Sequence, residues 1–326
     1  MIWFWLGFFA LVALLLVFDL GVLNRNAKEP TLRGAALATV GWVVLGLSFV
    51  AVVYPMYENN WLGAHLHGGP PDHADGADAS ITYVSAYLLE QALSIDNIFV
   101  MSLLFTTFKV PLKYQHRVLF WGILGAIGFR LAMLGGGAYL AARFDWVFYI
   151  FGGYLVYQGL KLFRDEGDGD DEERDKSVVL RVLRRFVPIV DGDHGGKFTV
   201  KTDGRRALTT IAVCLVVIEL TDIVFALDSI PAVLSVSQDT FIMVTSNVFA
   251  IMGLRSLYFV LAGAMSKFQY LKIALAVLLV GIGAKMIVHS YYPISHVVSL
   301  IAIAGILGVG VLASVVAARR VPKPAA

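Results

Sequence analysis

Long apolar segments recur along the whole chain, and they constrain its fold more than any other feature. Of the 326 residues, 58% are apolar and only 15% are charged, whereas soluble domains carry roughly 25% charged residues. A run of about 20 apolar residues is long enough to cross a bilayer as a helix. The sequence therefore predicts an all-α polytopic membrane protein. Nine spans are predicted, at 2–22, 35–54, 80–105, 117–140, 146–163, 208–234, 241–263, 270–288 and 295–317.

The basic residues predict the orientation of these spans. If the N-terminus lies outside, Arg143 is the only lysine or arginine in an outer loop, while inner loops hold groups such as Lys109, Lys113 and Arg117. Positive residues favour the cytoplasmic side of a membrane. We therefore predict an external N-terminus and a cytoplasmic C-terminus. The single cysteine, Cys214, lies within a predicted span, so no disulfide framework is expected.

Two polar loops have more than one interpretation. The outer loop at 63–80 contains His65, His67 and His73 together with three aspartates. It is either a metal-collecting segment, since imidazole and carboxylate suit transition metals, or a solvated connector rich in Gly and Pro. The inner loop at 164–206 opens with the acidic run RDEGDGDDEERD. This run lacks the glycine and glutamate positions of an EF-hand, and a charge run of this kind is usually solvated.

An internal repeat is the most informative pattern. Three matches occur in the same order, one on each of three consecutive helices: Glu90–Ile98 with Asp222–Ile230, Arg130 with Arg255, and Gly159-x-Lys161 with Gly283-x-Lys285. The first repeat begins on a helix that runs inward and the second on a helix that runs outward. Such inverted repeats are common in secondary transporters, whose ligand sites lie near the midplane where the repeats meet.

The repeat divides the chain into five segments. These are 1–79 with two spans and the His/Asp-rich outer loop, 80–164 with the first repeat, 165–207 as a cytoplasmic loop with acidic and basic residues, 208–290 with the inverted second repeat, and 291–326 with the last span and a basic tail.

The predicted lead helices of the two repeats contain more acids than the bundle has arginines to neutralise them. These acids are Glu90, Asp96, Glu219, Asp222 and Asp228, and the mid-span bases are Arg130 and Arg255. A charge at the bilayer centre costs about 2.5–3.5 kcal/mol on insertion scales. Two arginines leave three acids over, which are either protonated or bound to a cation. Plain ion pairing between helices is the alternative, whereas a divalent hard cation would match both the surplus and the oxygen ligands.

The spacing of the acids predicts a ladder across the membrane. Glu90 and Asp222 fall near mid-span with Glu219, while Asp96 lies about 9 Å further inward and Asp228 about 9 Å further outward. Six residues of helix turn a side chain by about 600°, which leaves the two acids of a pair about 120° apart. Both acids can face one cavity only if the helix is unwound; otherwise they serve two cavities.

Two further features have open interpretations. Pro231 cannot donate to the carbonyl of Leu227, which would free an oxygen beside the second acid pair. This proline either helps to break the helix for cation binding or is an ordinary kink. Arg130 and Arg255 either move onto the carboxylates when a cation leaves or form fixed salt bridges.

The chain resembles the TerC family of membrane proteins, which is named for tellurium resistance. The segments that carry the resemblance are Phe18–Arg25, Glu90–Val100, Gln115–Ala126, Glu219–Val233 and Thr245–Phe259. It implies a place in the wider group of LysE-type exporters and a role in Mn²⁺ export from the cytoplasm. By this resemblance the five acids are metal or proton-coupling residues, and Asn97 and Ser229 complete the metal site.

The sequence as a whole therefore predicts a secondary transporter of a divalent cation, most specifically Mn²⁺, in the bacterial inner membrane. Protons are the expected coupling ion, because no Walker A loop that would bind ATP is present. The alternatives are a non-transporting scaffold in tellurite or envelope stress, and a transporter of Ca²⁺ or an amino acid. No catalytic motif is recognisable and no nucleic-acid partner is expected; the lipid bilayer is the expected environment.

Overall fold

The computed structural model describes residues 2–18, 31–61, 75–144, 146–164, 188–190, 192, 194–202, 205–262, 269–288 and 295–320. Helices make up most of these residues, which confirms an all-α polytopic membrane protein. In chain order they are α1 (Ile2–Phe18), α2 (Leu32–Ser48), α3 (Val50–Glu58), α4 (Gly76–Thr107), α5 (Leu112–Arg143), α6 (Trp146–Arg164), α7 (Thr210–Leu234), α8 (Thr240–Met252), α9 (Leu254–Ala262), α10 (Gln269–Val288) and α11 (His296–Arg320).

Each predicted span coincides with helical structure, although not all of these helices are long and apolar enough to cross a membrane by themselves. Within the described residues, five segments meet both criteria: Leu32–Glu58, Gly76–Thr107, Leu112–Ala141, Thr210–Leu234 and His296–Ala317. A sixth is the pair α8 and α9, which together form a bent span. The count of nine spans therefore stays a prediction. The histidines of the outer loop and the acidic run after Arg164 lie outside the described residues.

Two of the predicted spans are interrupted, whereas both lead helices are continuous. The predicted helix at 241–263 bends by 44° at Gly253, and the predicted helix at 35–54 is divided between α2 and α3 at Phe49. By contrast, α4 is helical through Glu90 and Asp96, and α7 is helical through Pro231. The unwinding considered from the sequence is therefore not observed. On α7, Asp222 and Asp228 face different neighbouring helices, α5 and α6.

A small sheet, which the sequence did not predict, lies in the loop that is predicted to be cytoplasmic. It consists of β1 (Ile189–Val190), β2 (Thr199–Thr202) and β3 (Arg205–Thr209), in the order β1-β3-β2. Strand β1 pairs with β3 in parallel and β2 pairs with β3 antiparallel. The last residue of β3, Thr209, is also the N-cap of α7 and accepts a hydrogen bond from the Ala212 amide. The sheet is therefore joined directly to the lead helix of the second repeat.

The same sheet rests against the N-terminal end of α5. Arg117 donates a hydrogen bond of 3.0 Å to the carbonyl oxygen of Gly196, and its guanidinium lies 5.0 Å from the centroid of the Phe198 ring. Gly196 has a φ of +74° and lies against the ring of Tyr114. A side chain there would be strained and would collide with that ring. The N-terminal ends of α5 and α7 are thereby held to the same sheet.

Helices of the two predicted repeats contact each other reciprocally. The second helix of the first repeat, α5, packs on the lead helix α7, and the second helix of the other repeat, α8, packs on the lead helix α4. The third helices, α6 and α10, pack on each other more extensively than any other pair in the described part of the chain. This exchange of partners is what two repeats related by a twofold axis require.

Glycines bring the backbones of α6 and α10 into direct contact. A Cβ placed on Gly283 would lie 2.5 Å from the carbonyl oxygen of Gly152, and one on Gly159 would lie 2.8 Å from that of Ala276. The alignment that pairs Gly159 with Gly283 also pairs Gly152 with Ala276. The two contacts are therefore equivalent in the repeat. Small residues allow membrane helices to approach closely, so this contact between α6 and α10, called the glycine seam below, needs glycine at these positions.

We expect Gly283→Ala to destabilise the protein and Gly281→Ala, on the same helix, to leave it unchanged or more stable. Alanine favours a helix over glycine by about 1 kcal/mol at either position. A Cβ at Gly281 meets nothing within 4 Å, whereas overpacking at Gly283 should cost about 1–3 kcal/mol. Thermal unfolding of the purified protein in detergent measures both effects. Equal thermal midpoints for the two variants would contradict the close backbone contact inferred at Gly283.

Candidate cation site

A buried arginine joins two acids that are equivalent in the repeat. Arg130 of α5 donates two hydrogen bonds to Asp222 of α7, from Nε to Oδ2 at 3.2 Å and from Nη2 to Oδ1 at 3.0 Å. Its third nitrogen, Nη1, contacts Oε1 of Glu90 on α4. The exposed fractions of Glu90, Arg130 and Asp222 are 0%, 1% and 2%. One guanidinium therefore connects the midpoints of three helices.

The charges of this triad do not cancel. Two carboxylates share one guanidinium, which leaves one negative charge in surroundings of low dielectric unless a proton is bound. A guanidinium is suited to this position because its planar fork can bind a carboxylate through two nitrogens. Among the described atoms, Oε2 of Glu90 is buried and has no hydrogen-bond partner. A buried polar atom without a partner is a position where an ion or an ordered water would be expected.

Apolar clusters enclose the triad on both sides. The cluster on the predicted outer side includes Leu89 and Ile230, and the one on the predicted inner side includes Ile123 and Ile218. Most of these residues are within one or two turns of the charged side chains. The triad is therefore a polar layer in an apolar bundle, which strengthens the electrostatic interactions within it.

A narrow crevice reaches Asp222 between α4 and α7. Its volume is about 170 Å³, which includes space open to the surroundings, and no part of it is wide enough for a whole water molecule. Its lining residues are Asn97, Val100, Met101, Leu104, Ile218, Thr221, Asp222 and Phe225. Because α4 runs inward and α7 outward in the predicted orientation, Leu104 and Ile218 lie at the cytoplasmic end. The crevice therefore leads from the predicted inner side to Asp222.

Thr221 is a polar member of this lining that the sequence did not single out. Its hydroxyl donates a hydrogen bond of 2.7 Å to the carbonyl oxygen of Val217, four residues earlier. Threonines in helices commonly form this bond, so the residue type alone gave no signal. The only available signal was its position next to Asp222. Asn97, which the sequence did predict, is 3% exposed and lies in the same lining.

Glu219 lies one turn before Asp222 on α7 and packs against α5. Its carboxylate occupies the space that a Cβ would fill at Gly125. The side chain is half-buried, and its Oε2 has no hydrogen-bond partner among the described atoms. Glycine at 125 therefore permits this position of the carboxylate.

Asp228 has different surroundings, between α7 and α6. Gln158 Nε2 donates to Asp228 Oδ1 at 3.0 Å and to the hydroxyl of Tyr154 at 2.9 Å. The Tyr154 hydroxyl lies beside Asp228, and Lys161 lies within electrostatic range of the same carboxylate. The sequence identified neither Tyr154 nor Gln158, because a single Gln or Tyr in a membrane helix has no specific signature.

The remaining predicted residues are distributed as follows. Ser229 is buried, and its hydroxyl has no hydrogen-bond partner within the described structure. Arg255 is buried next to the bend at Gly253 and lies within electrostatic range of His116. The side chain of Asp96 lies outside what the structure describes, although its backbone is part of α4. The structure thus brings together Glu90, Arg130, Asp222 and Asn97, and it places Asp228 in a second polar cluster.

A ready-made metal cluster is not observed among the described side chains. No three His, Cys, Asp or Glu residues of that set lie close enough together to hold a metal ion. In this conformation the guanidinium of Arg130, rather than a group of oxygen ligands, lies between Glu90 and Asp222.

Comparisons with known proteins agree on one family. The model of the family described as "Integral membrane protein TerC family" matches residues 75–322. An uncharacterized membrane protein of Myxococcus xanthus is 40% identical over 98% of this chain and 93% of its own length. The proposed membrane-bound redox modulator Alx of Escherichia coli K12 is 39% identical over 93% of this chain and 91% of its own length. No solved structure matches the chain.

We expect Arg130→Met to destabilise the protein far more than Arg143→Met, which removes an exposed arginine from the end of the same helix. Removing one partner of a buried ion pair costs about 3–5 kcal/mol, because the other charge is left without compensation. Combining Arg130→Met with Glu90→Gln and Asp222→Asn should restore much of the loss. Thermal midpoints in detergent measure this, and a triple variant as unstable as Arg130→Met would contradict the charge argument.

Proposed function

The chain belongs to the TerC family of integral membrane proteins, and we propose that it is a secondary transporter that exports a divalent cation, with Mn²⁺ as the cargo. The observation that supports this best is the buried triad, in which Glu90 and Asp222 share the single guanidinium of Arg130. Two acids from opposite repeats that retain a negative charge at mid-bundle are suited to a cation that binds and leaves.

In this proposal Arg130 and the cation alternate. The guanidinium neutralises part of the charge when no cation is bound, and it moves aside when the cation takes its place between the carboxylates. Asn97 supplies an additional oxygen next to Asp222, because both residues line the same crevice. Carboxylate and amide oxygens are the ligands that Mn²⁺, Mg²⁺ and Ca²⁺ prefer. These ligands support a divalent cation, and the family resemblance favours Mn²⁺ among the three.

The position of the crevice supports the proposed direction of transport. The crevice approaches Asp222 from the side that the basic loops predict to be cytoplasmic. A cation would therefore load from the cytoplasm and leave on the outer side, through the half of the bundle that contains Asp228. Carboxylates that release a divalent cation can take up protons in its place, so inward proton movement is the proposed driving force. The proposed location is the bacterial inner membrane.

A second candidate is a scaffold that does not transport, with a role in tellurite or envelope stress. The observation that favours it is again the triad, because Arg130 also ties α4, α5 and α7 together. The name of the Escherichia coli relative, which is that of a redox modulator, belongs to the same class of role. The two candidates differ in one measurable property, namely whether reconstituted protein moves a metal ion.

We expect wild-type protein in proteoliposomes to transport Mn²⁺, and Asp222→Asn to reduce this flux at least about tenfold. Asparagine keeps the shape of the side chain, and Arg130 retains Glu90 as a partner, so the variant should still fold. Glu58→Gln is the matched control, since Glu58 is exposed and lies outside the bundle centre. A scaffold would show no flux in any of the three proteins. Equal flux in all three would show that Asp222 does not take part in transport.

We expect Gly125→Ala to reduce Mn²⁺ flux severalfold without lowering the thermal midpoint. The new Cβ would displace the Glu219 carboxylate, and the end of a flexible side chain can move at little cost. Gly128→Ala is the control, because a Cβ at that position meets nothing within 4 Å. Unchanged flux in Gly125→Ala would show that the position of Glu219 is unimportant for transport.

A further inference from the structure

Asp228 is the acid of the second repeat for which the structure shows hydrogen-bond partners other than arginine. It accepts a hydrogen bond from the amide of Gln158, and the hydroxyl of Tyr154, also on α6, lies beside it. The amide also donates to the Tyr154 hydroxyl, so both of its hydrogens are used. The three side chains therefore form a compact polar ring, in which Gln158 bridges the Asp228 carboxylate and the Tyr154 hydroxyl.

The spacing on α6 makes this ring a property of one helix face. Tyr154 and Gln158 are four residues apart and so lie one above the other on the side facing α7. Lys161 follows three residues later, and its positive charge interacts with the same carboxylate. The helix that carries these groups is itself held against α10 by the glycine seam at Gly152 and Gly159. Asp228 is thus oriented by a separate, tightly packed helix pair.

The ring has no counterpart in the other repeat. The alignment that matches Gly159 with Gly283 places Leu278 and Ile282 of α10 at the positions of Tyr154 and Gln158. Both of these side chains are buried and apolar. Hydrogen-bond donors at these two positions are therefore present only in the first repeat, whose third helix contacts Asp228, the acid in the predicted outer half. The two halves of the bundle differ chemically although their acids match.

We propose that Gln158 and Tyr154 are positioning residues that orient Asp228 as a ligand for the cation on the outer side of the pathway. This inference rests on the proposed transport function. Groups that orient a metal ligand through hydrogen bonds typically affect metal affinity 10–100-fold when they are replaced. Because only the outer half has this pair, its loss should weaken binding of the cation from the outer side and leave binding from the cytoplasmic side unchanged.

The test is Mn²⁺/Mn²⁺ exchange in vesicles of uniform orientation, with the KM for Mn²⁺ measured separately from each side. We expect Tyr154→Phe and Gln158→Leu each to raise the outer KM about tenfold, with the cytoplasmic KM within twofold of wild type. Tyr157→Phe is the matched control, since the neighbouring Tyr157 is 62% exposed. Asp228→Asn should raise the outer KM at least as much.

A purely structural role predicts a different result. If the ring only fastens α6 to α7, the variants should lower the thermal midpoint and the amount of active protein, and the KM should not change on one side alone. An outer KM that is unchanged, or a KM raised equally on both sides, would overturn this inference. The proposed transport function would still stand in that case, provided that the wild-type protein exchanges Mn²⁺. Absence of exchange in wild type would instead overturn the proposed transport function and this inference with it.

Discussion

The contact on which the rest of the structure depends is a single guanidinium between two carboxylates in the middle of a helix bundle. Arg130 contacts both Glu90 and Asp222, so three helices from both predicted repeats meet at one charged side chain. In surroundings of low dielectric such an arrangement is costly to disturb and equally costly to leave incomplete. The same contact requires α4 and α7 to be continuous, since each helix must hold its acid at a fixed height and rotation.

Because Glu90 and Asp222 share one arginine, the bundle is less symmetric than the sequence repeats. The glycine seam between α6 and α10 obeys the repeat alignment, with equivalent contacts on both sides. At the triad, by contrast, Arg130 of the first repeat contacts the acids of both repeats, and Arg255 lies near His116. A second departure is the ring around Asp228, whose aligned positions in α10 are apolar. Symmetric packing combined with asymmetric charge distinguishes the two faces of the protein.

Membrane physics explains which features the sequence could predict. Glu90, Arg130 and Asp222 could be singled out because charge in an apolar segment is rare and must find a partner. The bend at Gly253 could not be located, since isolated glycines are common in membrane helices. The sheet was missed because its strands are short and follow a charged stretch. Tyr154 and Gln158 gave no signal, because neutral polar residues become informative only when a neighbouring acid is seen beside them.

The junction between β3 and α7 has a mechanical consequence. No loop separates them, because Thr209 ends the strand and caps the helix, and Arg117 ties the same sheet to α5. Any rotation of α7 about its axis would therefore also move the sheet, which the predicted orientation places on the cytoplasmic side, and the tie from Arg117 to α5 would resist that rotation.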